Sequence, residues 1–160
     1  MDGAAKGNLS EAGGGGVFRN TRGDWVLGFC CYLGVCSSFR AELLALLYGL
    51  RIAWSQGFRK LIVHIDSKTP MKLLEAEACS MSTHVHLILK CRALLANKQW
   101  VTKLNHSFRE LNRVADCLAN IGVTHTVPCE LFESPSPSVS KLVMEDIVGL
   151  AWPRVICRNE

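Results

Sequence analysis

No stretch of this chain offers the roughly 18–20 consecutive apolar residues that a membrane-spanning helix needs, so an integral membrane role is not expected. Met1-Asp2-Gly3-Ala4 lacks the basic and apolar regions of a signal peptide, and the expectation is an intracellular protein, nuclear or cytoplasmic. Eight cysteines stand at positions 30, 31, 36, 79, 91, 117, 129 and 157, yet no C-x2-C pair occurs among them. Most fall in apolar segments, which predicts buried free thiols rather than zinc ligands or a disulfide framework. Aromatic residues make up only 8% of the chain and charged ones 20%, but a hydrophobic content of 49% is enough for a packed core and excludes disorder.

The net charge of +4 is unevenly spread. Residues 1–120 carry 15 Lys/Arg against 9 Asp/Glu, and residues 121–160 carry 3 against 5. A mildly basic body is compatible with a polyanionic partner. The 160 residues suit one domain and a short extension, read here as a body over 1–121 and an extension over 122–160. Pro128, Pro135 and Pro137 among serines weaken the pattern of that extension before a short apolar helix near 140–150.

The chain is organised around Leu61-Ile62-Val63-His64-Ile65-Asp66-Ser67. Five mostly β-branched apolar residues read as a strand buried on both faces of a largely parallel sheet. An isolated carboxylate is too costly to desolvate inside such a strand, so Asp66 belongs at its carboxyl end, where open α/β sheets form ligand crevices. Taken alone, Asp66 reads equally as a neighbour of the helix cap Ser67. Three other acids hold distinctive places. Asp2 lies in Met1–Ala5, which looks like the second half of a strand whose first half is absent. Glu42 shares the inward face of a helix with Leu46 and Leu50, and Asp116 sits mid-helix, one turn from Asn112 and from Asn120.

Around these acids the elements follow in order. Gly14–Arg19 and Trp25–Leu33 flank the turn-forming Asn20-Thr21-Arg22-Gly23-Asp24 and predict a hairpin. Gly13–Gly16 invites a phosphate-loop interpretation, but that motif opens a helix after a strand, and here the run precedes a strand. It reads as a flexible turn, and the same lack excludes a dinucleotide-binding oxidoreductase. Helices are predicted from Ser37/Ser38 to about Ser55, over 68–78, from His84/His86 to about Asn97, and over 110–120, with a last strand over 100–108. His64 reads as a packed core histidine, and His84 and His86 have no matching ligands near them in sequence, so zinc is not expected there.

This order, with Asp2-Gly3-Ala4, Gly14-Gly15-Gly16-Val17, Ser38-Phe39-Arg40-Ala41-Glu42, Ile65-Asp66-Ser67 and the run from His106 to Asp116, resembles the ribonuclease H fold. More narrowly, it is similar to the plant ribonuclease H-like module that stands alone or is attached to retroelement reverse transcriptases, and Met144–Pro153 shares that likeness. The resemblance implies an α/β fold with a five-stranded mixed sheet, helices on both faces and a first strand shortened at its N-terminus. It implies an endonuclease that hydrolyses the RNA strand of RNA–DNA hybrids with two Mg²⁺ ions, Mn²⁺ being an alternative, set about 3.5–4 Å apart. Carried over by position, Asp2 and Asp66 would bridge both metals, Glu42 would ligate one and Asp116 the other. His106 matches the family's mobile histidine, and Ser67, Arg109, Asn112 and Arg113 are candidate substrate contacts. Glu75–His86 is too short for the basic protrusion that helps some relatives grip the hybrid, so a fused or separate reverse-transcriptase or nucleic-acid-binding module is the implied partner. The competing expectation is a catalytically silent, nucleic-acid-binding or interaction remnant of a retroelement.

Overall fold

The computed structural model describes residues 1–5, 9–76, 83–108, 112–125 and 127–147. Among these residues, six strands and five helices follow one another as β1 (Asp2–Ala5), β2 (Ser10–Arg19), β3 (Trp25–Cys36), α1 (Ser38–Ser55), β4 (Lys60–Ile65), α2 (Lys68–Glu75), α3 (Val85–Leu95), β5 (Val101–His106), α4 (Arg113–Val123), β6 (Cys129–Phe132) and α5 (Pro137–Ile147). The five expected strands are all present. Their pairing falls into two sheets, an antiparallel one in the order β1-β2-β3-β6 and a parallel pair β4-β5. Between them, the Met1 amine donates to the carbonyl of His64 at 3.2 Å. The strand β1 has four residues and is laddered to β2, with Asp2 opposite Gly15.

Local chemistry sets most of these boundaries. The β2–β3 turn closes because Asn20 Oδ1 accepts from the backbone N–H groups of Arg22 and Asp24, both at 2.9 Å, and Gly23 takes a φ of +86°. Helix α1 starts where Ser37 Oγ accepts from Arg40 N at 3.3 Å, and the chain leaves it through Gly57 at φ +79°. Leu43, Leu46, Leu47 and Leu50 form its buried stripe, each contributing about 1.5–3 kcal/mol if fully buried. They pack on Phe18, Phe29, Val63, Ile65 and Ile88 in the main core.

The Gly13–Gly16 run is not a turn, as its composition suggested, but the middle of β2. Helices lie against both of its faces. A Cβ on Gly14 would come within 3.0 Å of Ala45 Cβ in α1, and one on Gly15 within 2.3 Å of Ala119 N in α4. Bare backbone there lets α1 and α4 approach the sheet from opposite sides, which brings their acids close to β1.

Two further expectations are corrected. The strand β4 is buried at Leu61, Val63 and Ile65, whereas Ile62 and His64 are only half-buried, so its second face is incompletely covered. Cys31 and Cys129 are joined as a disulfide across β3 and β6, while Cys30, Cys36, Cys91 and Cys117 are free. The bond was illegible because β6 itself carried no recognised strand signal. Beyond residue 122, Trp25 Nε1 donates to Phe132 O at 3.1 Å, and Val139 and Val143 are buried beside Val114 and Leu118 of α4. Among the described residues, no helix is long and apolar enough to cross a membrane.

Candidate functional site

Asp2, Glu42, Asp66 and Asp116 come from four elements that meet at one end of the molecule. Asp2 opens β1, is 3% exposed, and its Oδ1 accepts from Gly3 N at 2.9 Å. Its Oδ2 is buried with no hydrogen-bond partner. Burial first, and then the neighbouring Asp66 carboxylate, push the Asp2 carboxyl up to about 7; the Met1 ammonium opposes this, and the Asp116 carboxyl adds to the rise. Asp66 and Asp116 therefore both act electrostatically on Asp2, although Asp116 is far from it in sequence. The Met1 ammonium is itself lowered by burial, with Asp2 and Asp66 resisting.

Glu42 reaches the same end because α1 lies directly on β1. An added Cβ at Gly3 would stand 2.4 Å from both Ala41 C and Glu42 N, so only glycine permits this contact. Glu42, Asp66 and Ser67 line a small cleft with Met1, Leu46, Ile65 and Pro70. Ser67 is the N-cap residue of α2, yet its side chain makes no capping hydrogen bond. Its hydroxyl is thus not spent on capping the helix, and the residue lines the cleft.

His106 ends β5, and its Nε2 lies 3.1 Å from the Asp66 carbonyl oxygen. With the proton on Nε2 the ring donates to that carbonyl. Its edge meets Phe108 at 5.8 Å between centroids. Asn112 precedes α4, is 8% exposed, and its Nδ2 donates to Met1 O at 3.2 Å. That bond clasps the N-terminus of α4, and with it Asp116, to the start of β1. Arg113 is paired at 2.8 Å with Glu145 of α5. Arg109 lies outside the described residues. Sequence reasoning missed the clasp made by Asn112 and the buried, unpartnered Ser107 Oγ next to His106; neither has a local signature, because both depend on chain segments distant in sequence.

The donor set is entirely carboxylate, with one oxygen, Asp2 Oδ2, buried and lacking a donor. Hard oxygen ligands of this kind suit Mg²⁺ or Mn²⁺, and a raised acid among like charges is what a cation would relieve. The residues fit a divalent-metal centre.

Comparison with known proteins bears on the family and the fold. The model of the family described as reverse transcriptase-like matches residues 1–122. A protein of Arabidopsis thaliana named "Putative ribonuclease H protein" is 33% identical over 153 residues, covering 96% of this chain and 24% of the relative. The chain thus spans about a quarter of that relative's length. Among solved structures, ribonuclease H1 of the halophilic archaeon Halobacterium salinarum is 27% identical, with a TM-score of 0.71 over 76% of this chain and 92% of that one. LC11-RNase H1, solved in complex with an RNA/DNA hybrid, has a TM-score of 0.69 at 23% identity and the same coverages, a likeness of fold.

Proposed function

Since the chain belongs to the reverse transcriptase-like family, with a ribonuclease H-like fold, we propose that it hydrolyses the RNA strand of RNA–DNA hybrids at Asp2, Glu42, Asp66 and Asp116. The observation that carries this reading is the buried Asp2 carboxyl, pushed up to about 7 by burial and by Asp66 and Asp116. Asp2, Glu42, Asp66 and Asp116 would together hold two Mg²⁺ ions, and the same oxygens would accept Mn²⁺. When bound, such a pair supplies an activated water and stabilisation of the leaving oxygen.

The chain's own residues do the rest. Opposed helices packed on the bare glycine run in the middle of β2 hold the carboxylates in fixed relation. His106, parked at the Asp66 carbonyl, exchanges that bond for a proton transfer at Nε2 during turnover or product release. Ser67, Arg109, Asn112 and Arg113 are proposed to meet the hybrid, through 2′-hydroxyl and phosphate contacts rather than sequence readout. Ser67 is best supported, because its hydroxyl is unused as a cap beside Glu42 and Asp66. Arg113 reaches a phosphate by exchanging Glu145 for it. A fused or separate reverse-transcriptase or nucleic-acid-binding module would add to the grip, and a retroelement origin accords with the family.

One observation favours the alternative, a catalytically silent nucleic-acid-binding remnant of a retroelement. The strand β1 is laddered to β2 and not to β4, so sheet pairing holds it along one edge only. Cleavage of a labelled RNA–DNA hybrid in Mg²⁺, with Asp66→Asn in parallel, decides between them. Cleavage by the parent that disappears in Asp66→Asn is expected. A folded parent that binds hybrid and never cuts it overturns the enzymatic reading.

A further inference from the structure

Counting across the antiparallel sheet from Asp2, the register runs Asp2–Gly15–Cys30–Glu130. Directly opposed residues on neighbouring antiparallel strands project from the same face, and this is the face against which Gly15 meets α4. At the outer end of that row, Cys30 and Glu130 are joined by His125, which follows α4. The Cys30 thiol, a ring nitrogen of His125 and a carboxylate oxygen of Glu130 all lie within 4.8 Å of one another. His125 Nε2 and Glu130 Oε2 are already in hydrogen-bond contact. Cys30 is fully buried, and the two partners are partly exposed.

From this geometry we infer that Cys30, His125 and Glu130 form a zinc-binding site that fastens the segment from α4 to β6 onto β3. The donor chemistry selects the metal class. A thiolate with an imidazole and a carboxylate suits Zn²⁺, whereas Mg²⁺ takes oxygen ligands and is directed to the carboxylates of the other cluster. Zinc bonds of about 2.3 Å to sulfur and about 2.0–2.2 Å to nitrogen and oxygen place tetrahedral ligands roughly 3.3–3.7 Å apart; the three donor atoms lie within 4.8 Å of one another, and the His125–Glu130 hydrogen bond opens as the metal enters. Water takes the fourth position. Binding converts the Cys30 thiol to thiolate and releases its proton to solvent. Because binding displaces that proton, affinity should rise with pH. Without metal, the same three residues are no more than a buried thiol beside a His–Glu hydrogen bond.

Co²⁺ replaces zinc as a spectroscopic probe on the full chain, with excess Mg²⁺ present to occupy the carboxylate cluster. One equivalent of Co²⁺ should produce thiolate-to-cobalt charge-transfer absorption. The band should be lost in Cys30→Ser and in His125→Ala, and retained in Cys117→Ser. Zn²⁺ should displace the cobalt and raise the Tm of the parent without raising that of His125→Ala. His125 is only partly buried, so this variant stays informative if Cys30→Ser fails to fold. A folded parent that gives no charge-transfer band, or a band that survives in His125→Ala, overturns the assignment.

Discussion

Replacing Asp2 by Asn tests the convergence of the carboxylates without any need for turnover. Its carboxyl is raised from 3.8 in a free chain to about 7 in the fold. A raised acid binds its proton more tightly when folded, so its contribution is fully present below the unfolded value, near pH 4. That contribution is lost as pH rises through the folded value, near pH 7. About three units at 1.36 kcal/mol each correspond to at most about 4 kcal/mol, an upper bound for a group coupled to its neighbours. Metal-free wild type should therefore lose up to that much stability between about pH 4 and about pH 8 relative to Asp2→Asn, whose amide does not ionise. Urea unfolding followed by circular dichroism at a series of pH values, in chelator, gives the two curves. Adding Mg²⁺ near pH 8 should then restore stability to the wild type and much less to the variant. Parallel curves for the two proteins in chelator would refute the argument, because they would mean that Asp2 is neither desolvated nor faced by Asp66 and Asp116.

Other perturbations follow from the same contacts. Gly3→Ala drives a Cβ into the Ala41–Glu42 backbone; overpacking of this kind costs about 1–3 kcal/mol, and urea midpoints should fall together with hybrid cleavage as Glu42 is moved from Asp2. Asn112→Ala removes the amide that holds Met1 O; the loss should be about 1 kcal/mol, with kcat reduced and KM little changed if the side chain acts by clasping α4 to β1. Glu145→Gln frees Arg113 from its ion pair; hybrid binding should tighten, and the salt dependence of log K should steepen by about one phosphate contact. Unaltered binding across a salt titration would remove Arg113 from the hybrid-facing surface.

What the sequence determined by itself was local. The caps and glycines around α1, the Asn20–Asp24 turn and the strand ending at Asp66 were legible because each depends on residues a few positions apart. Element order, with acids at matching places, was enough to reveal the family likeness. Tertiary structure decided the rest. The Gly13–Gly16 run looks the same in a loop as in a strand, and only helices on both faces require it to be bare. The strand β6 is four residues long and becomes a strand by pairing with β3, which then brings Cys129 to Cys31 across a sequence separation of 98. Asn112 and Met1 are separated by 111 residues, and the Cys30–His125–Glu130 cluster joins β3 to the segment from α4 to β6. No periodicity or spacing encodes such meetings; they follow from which surfaces the packed helices and strands bury against each other. The sequence supplied the acids, and folding supplied the desolvation and like charge that raise Asp2.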